Sequence, residues 1–222
     1  MQEVVPINTE HTNTRLTAAL AAGTPSVRLK AALAIGTDPD PALLDALMAR
    51  CAVEPDFYVR DMLTWALTRL PVELTVPRLL AELDSAVSQA RSQALHTLSK
   101  IGDVRAWPAM TSTLLRDLDD EVARAAWRAA VAVVPDGEER GLAEELASQL
   151  GRGGREVQLS LSRALIALGA LVEPVLKRAK ESDVPGVAAH AAATQRLLED
   201  PDAAFELDVK EAKRVFALGT EG

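Results

Sequence analysis

A single cysteine, Cys51, stands in 222 residues, so no internal disulfide can form. Its expected role is that of a small buried apolar residue. Aromatic residues are nearly as scarce, at 3% of the chain, although hydrophobic content reaches 48%. Alanine carries much of that total, which suits helices packed closely in layers. Positive charge is also short. Against 32 Asp and Glu there are 24 Lys and Arg, a net charge of -8, with a pI near 5.0. Nucleic-acid affinity leans on neutralising phosphates with a basic surface. No nucleic-acid partner is therefore expected, nor measurable binding to duplex DNA or RNA at physiological salt. Charge-free runs fall far short of the roughly 18 residues a membrane span needs. Met1 to His11 shows neither a basic n-region nor an apolar h-region. The expectation is no membrane association and cytoplasmic residence.

What the chain does have is a recurring helix. In Tyr58 to Pro71, apolar Val59, Leu63, Ala66, Leu67 and Leu70 fall at three- and four-residue steps, and Pro71 stops the run. The signature returns as Val27-Arg28 with Ala31, Ala34 and Ile35, as Ala90-Arg91 with Ala94, Thr97 and Leu98, and as Ala123-Arg124 with Trp127, Ala130 and Val131. Two worn copies begin at Val157-Gln158 and Val187-Ala188. The leading positions 27, 59, 90, 123, 157 and 187 are about thirty residues apart, the mark of a helical repeat array.

Between the signatures, Gly, Pro and Asp clusters break and re-cap helices: Gly23 to Ser26, Thr37 to Pro41, Glu54 to Asp56, Asp84-Ser85, Gly102-Asp103, Asp119 to Glu121 and Pro135 to Gly137. The resulting helix pairs span about residues 12–36, 40–70, 73–101, 104–134, 138–168 and 171–199, with a closing helix near Phe205 to Leu218. The first helix of the fourth pair is expected over Val104 to Leu118, buried through Met110, Leu114, Leu115 and Leu118. Residues 1–11 read as a loose tail, and 12–222 as a single solenoid whose layers bury what each helix alone leaves exposed.

The succession of apolar helix, Asp-containing turn, Val-Arg and Ala/Leu-rich helix resembles the HEAT repeat, including the HEAT-like repeats of the phycobilisome lyase type. Pro77 to Gly102 and Pro108 to Pro135 carry it best, while Gln158 and Ala188 replace the arginine in the last two copies. The resemblance implies an all-α fold, a right-handed α-α superhelix of about six helix pairs plus a capping helix, with the Val-Arg helices on its inner face. It implies no single task, because such repeats scaffold many.

The arginine column Arg28, Arg60, Arg91 and Arg124 is expected to pair with acidic or carbonyl groups in the turn before each helix, through Asp56 for Arg60, Asp84 for Arg91 and Asp119 or Asp120 for Arg124. The planar guanidinium suits such directed bonding. His11, His96 and His190 lie far apart without a second ligand at helical spacing, so no metal site is expected. Gly151-Arg152-Gly153-Gly154 follows no strand and precedes no Gly-Lys-Ser/Thr, which makes it a helix end and turn rather than a phosphate cradle. No catalytic residue and no cofactor are read from the chain.

The reading that remains is a non-catalytic scaffold or adaptor that binds another protein in its concave groove. The alternatives implied by the resemblance are an alkylpurine DNA glycosylase, which needs a basic concave face with aromatics and a catalytic carboxylate, and a bilin-lyase-related activity. In each Val-led helix, offsets +2, +5, +6 and +9 are expected to face the groove. Offset +6 gives the row Leu33, Trp65, His96, Ala129, Arg163, Ala193, and offset +5 the row Ala32, Thr64, Leu95, Arg128, Ser162, Ala192. The candidate partner-binding residues are Asp61, Trp65, Arg69, His96, Lys100, Arg128 and Arg163. An equal alternative has Trp65 packing sideways on the adjacent inner helix.

Overall fold

The computed structural model describes residues 9–200. Among the described residues the regular structure is all helical, with twelve α-helices and three 3-10 segments. Its contacts gather the chain into two compact units, Met1–Val133 and Val134–Gly222. The expected closing helix near Phe205 to Leu218 lies outside the described residues.

The first unit holds α1 (Thr9–Leu20), α2 (Pro25–Thr37), α3 (Leu44–Cys51), α4 (Phe57–Thr68), α5 (Val72–Glu82), α6 (Ser88–Ile101), α7 (Ser112–Leu115) and α8 (Asp120–Val133). Helix α1 thus begins three residues before the boundary expected at residue 12. Each odd helix packs on the even helix that follows it, and α2, α4, α6 and α8 pack in series. Turn chemistry sets the ends. Asp56 caps α4 by accepting from the Val59 N–H at 3.1 Å, and Gly102, at φ 68°, closes α6 in the left-handed conformation.

The stripe read from the sequence forms the core. Val59, Leu63, Ala66 and Leu67 of α4 are buried, as are Ala90, Ala94, Thr97 and Leu98 of α6 and Ala123, Trp127 and Ala130 of α8. Trp127 is wholly buried, and its indole N–H donates to the Leu115 carbonyl at 2.8 Å. Cys51 is buried, and burial pushes its thiol up to about 12, so the sulfur is an inert packing atom.

The expected helix over Val104 to Leu118 is broken instead. Residues Val104–Ala109 form a 3-10 turn around Pro108, and α7 is a single turn. Proline supplies no N–H and crowds the preceding turn, so the helix cannot run through. Met110, Leu114 and Leu115 are still buried, but Leu118 is 99% exposed. It sits between two anchored aspartates, Asp117 held by Arg91 and Asp119 capping α8, which turn it outward.

The arginine column bonds backward to carbonyls and forward to acids. Arg28 donates to the carbonyls of Ala22 and Gly23, Arg60 to those of Glu54 and Pro55, and Arg91 to that of Ser85. The acid partners differ from those expected. Arg28 takes Glu54 through two bonds of 2.7 Å, and Arg91 takes Asp117, each 26 residues further along the chain. Asp56 and Asp119 serve instead as helix caps. Arg124 instead bonds Glu121 within its own helix.

Glu54 is the centre of this arrangement in the first two layers. It is fully buried and accepts from Arg28, from Arg50 at 2.7 Å and from the Asp56 N–H at 2.9 Å. Burial alone would raise its carboxyl, but the bonds from Arg28, Asp56 and Arg50 outweigh it and hold the group below its ordinary value of 4.5.

The second unit holds α9 (Glu139–Ala147), α10 (Arg155–Ala167), α11 (Glu173–Lys180) and α12 (Pro185–Glu199). Its pairs are α9 with α10 and α11 with α12, and the two pairs meet through α9–α11 and α10–α12. The glycine-rich stretch is the expected turn, since Gly151 and Gly153 both take positive φ.

Removing Glu54 takes the acid partner from the buried Arg28 and the half-buried Arg50, which costs about 3–5 kcal/mol. Glu54→Ala is therefore expected to lower the melting temperature by roughly 10 °C, measured by the helical circular dichroism signal. The sign with pH follows from the lowered carboxyl. Its contribution is complete above about pH 4.5 and disappears as pH falls through the folded-state value, so wild type and Glu54→Ala should converge in acid.

A groove on the first unit

On the side of α4, α6 and α8 opposite the buried stripe, two hollows share a wall at Asp61. The larger, about 400 Å3, takes Phe57, Arg60 and Asp61 from α4, Gln89, Gln93 and His96 from α6, and Ala125 and Arg128 from α8. The smaller, about 280 Å3, is bounded by Asp61, Thr64, Trp65, Thr68 and Lys100. Residues three, four and seven apart on each helix share this face, which is why three helices present it together.

Five of the sequence-derived candidates thus come together: Asp61, Trp65, His96, Lys100 and Arg128. Arg69, at the C-cap of α4, is exposed but lines neither hollow. Arg163 is exposed on α10 of the second unit. The +5 row corrects the sequence reading. Ala32, Thr64, Leu95 and Ser162 are buried, and Arg128 is its exposed member. A helix packed on both flanks buries a wider arc than the single stripe predicts. In the +6 row Ala129 is buried, while Leu33, Trp65 and Arg163 are exposed.

His96 is half-buried and its ring is pushed below the ordinary histidine value, first by burial and then by Arg128 and Lys100, with Asp61 acting the other way. Arg128 is lowered by burial and by the like charge of Arg124, against the pull of Glu121. Trp65 has two roles at once. Its ring lies so close over Gly36 of α2 that an added Cβ there would stand 2.2 Å from the six-membered ring, yet 37% of the residue remains exposed. Gln89 and Gln93 tie the groove floor together. Gln89 donates to the carbonyls of Cys51 and Glu54, and Gln93 to the Thr64 hydroxyl.

Residues 52–132, which contain all three groove helices, match the family model for HEAT repeats. This stretch is built of HEAT repeats. No curated protein matches the sequence. Among solved structures, the complex of CpcE and CpcF of phycocyanin lyase from Nostoc sp. PCC7120 aligns at 20% identity with a TM-score of 0.49, covering 87% of this chain and 80% of that one. An engineered protein aligns at 20% identity with a TM-score of 0.45, covering 85% and 96%.

Beyond the matched HEAT residues, the worn copies substitute the arginine in a legible way. Gln158 donates to the Gly153 carbonyl five residues back, performing half of the arginine's task. Ala188 has nothing to offer, and His190 supplies the tie. Its Nδ1 accepts from the Gly151 N–H at 3.0 Å, which requires the proton on Nε2. That Nε2–H faces the Gln158 carbonyl at 2.9 Å and the Ser162 hydroxyl at 3.1 Å, and Ser162 also meets Thr194 at 2.7 Å. A serine beside a histidine suggests a nucleophile and its base, but a protonated Nε2 cannot accept the Ser162 proton, and both side chains are buried. The cluster is a neutral clamp between α10, α12 and the Gly151 turn.

Gly36→Ala should force the Trp65 ring from its seat. The expected result is a change in tryptophan fluorescence that is absent when the same substitution is made in a Trp65→Phe background. For His190, burial lowers the ring below its ordinary value of 6.5, so the unfolded chain takes up the proton first. Stability is then complete above about pH 6.5 and declines on acidification toward the folded-state value, by at most about 1.4 kcal/mol per pH unit. Unfolding measured from pH 7.5 to 5.5 should show a shallower decline in His190→Gln than in wild type.

Proposed function

We propose that the protein is a non-catalytic scaffold or adaptor that holds another protein in the groove of α4, α6 and α8. The observation that carries this reading is the groove's chemistry. Trp65 is partly exposed on a rigid seat, and beside it Lys100 and Arg128 make no hydrogen bond or ion pair among the described residues. Tryptophan and arginine are the residues that most often dominate protein interfaces. The hollows are also shallow and mixed in charge, which suits a segment of chain better than a small reactant in a closed site.

The same charge pattern weighs against the glycosylase reading. That activity needs a basic concave face, and here Asp61, Asp119 and Glu121 line the larger hollow together with the cations. A bilin-lyase-related activity gains no support from any side chain in the groove. Among the described residues no single helix is long and apolar enough to cross a membrane.

The test is affinity purification from the native host with wild type and with the pair Lys100→Ala and Arg128→Ala. Since neither side chain is bonded among the described residues, the double variant should melt within about 2 °C of wild type. It should nevertheless lose a partner that wild type retains. Neither form should bind duplex DNA at physiological salt; affinity that falls steeply with added salt would reverse the assignment.

A further inference from the structure

The groove holds positive charge that the fold leaves unused. Its carboxylates are mostly engaged: Asp119 accepts from the N–H groups of Glu121 and Val122 and from the Ser88 side chain, and Glu121 is bound by Arg124. Arg60 is occupied with the carbonyls of Glu54 and Pro55. Among the described residues Arg128 and Lys100 have no hydrogen-bond or ion-pair partner, and both act on the ring of His96. Asp61 is the third group acting on His96, and one carboxylate faces two cations there. Beside this cluster lies the open part of the Trp65 ring.

We propose that the groove recognises an extended segment of its partner by a carboxylate side chain that pairs with Arg128 and Lys100 next to His96, while a neighbouring apolar side chain lies on Trp65. This rests on the protein-binding reading above and names the chemistry of the bound segment. A half-desolvated guanidinium crowded by Arg124 gains from a counter-ion, and the flat fork of arginine matches the two oxygens of a carboxylate. A chain of phosphates is disfavoured, because Asp61, Asp119 and Glu121 would face it along the groove. A single carboxylate between amides meets the two cations against one carboxylate, Asp61. Its charge also stabilises the protonated ring of His96, so binding should strengthen as pH falls through the region where the free ring titrates. The charged groups that set this balance are Arg60, Asp61, Lys100, Asp119, Glu121 and Arg128.

The experiment selects random twelve-residue peptides displayed on phage against the purified full-length protein. The best binder is then synthesised in its selected form and with each Asp or Glu replaced by its amide. Affinity is measured by fluorescence anisotropy on wild type, Arg128→Gln and Trp65→Ala. The expected result is that one acidic residue recurs among the selected peptides and that its amide form binds wild type about tenfold more weakly or worse, the worth of a charge-assisted hydrogen bond. On Arg128→Gln the acid and amide forms should bind alike, and only the acid form should move the His96 ring resonance titration upward. Equal binding of acid and amide to wild type, with loss on Trp65→Ala, would overturn carboxylate recognition and leave the scaffold reading standing. Peptides indifferent to both substitutions, or a selection that enriches none, would overturn both.

Discussion

The carbonyls of the turn that follows each first helix are the problem around which the repeat is built. Carbonyls in such a turn have no helical partner, and packing the next helix over them removes water as well. Arginine at the fourth residue of the following helix reaches back five or six residues and donates to them, in Arg28, Arg60 and Arg91 alike. One guanidinium therefore sets the angle at which the second helix leaves the turn. In Arg28 and Arg91 the remaining N–H groups take an acid from the next turn, and this joins one layer to its successor. Arg60 meets no such acid, because the residue 26 further on is Ala86. The neighbouring layer compensates through Gln89, which donates to the carbonyls of Cys51 and Glu54.

Helix pairs and their limits were legible because Gly, Pro and Asp act locally: a left-handed Gly102 or a capping Asp56 needs no knowledge of the neighbours. The buried stripes of α4 and α6 were legible for the same reason, as helical periodicity is a property of one segment. What depends on the neighbours was not legible. The acid partners of Arg28 and Arg91 sit one layer away, and the lateral offset between layers cannot be read from a single helix. The +5 residues Thr64 and Leu95 look peripheral on a helical wheel, yet they are covered because α4 and α6 are flanked on both sides. Conversely, Val27 and Ala34 belong to the stripe of α2 and are exposed, since α2 begins the series and has α4 on one flank only.

The groove was half legible. Asp61, Trp65, His96, Lys100 and Arg128 follow from helical offsets, and they do share one face of three consecutive helices. Whether Trp65 belongs to the core or to the groove is a false choice, which Gly36 explains. A residue without a side chain at that point of α2 lets one face of the indole pack while the remainder stays open. The sequence shows the glycine and the tryptophan 29 positions apart, but not that they meet.

Register separates the two kinds of arginine in this chain. Those at the fourth residue of α2, α4 and α6 are consumed by the turn behind them, so their regular spacing is a structural signal and says nothing about ligands. Arg128 lies four residues, about one helical turn, beyond Arg124, where no turn carbonyl can reach it. Its charge is crowded by Arg124 and partly desolvated, a cost that the pull of Glu121 offsets only in part, since the group stays lowered. In a protein with eight more acidic than basic side chains, a counter-ion could easily have been supplied from within. A cation left unpaired in a groove of such a protein is therefore better explained by what the groove holds than by how the chain folds.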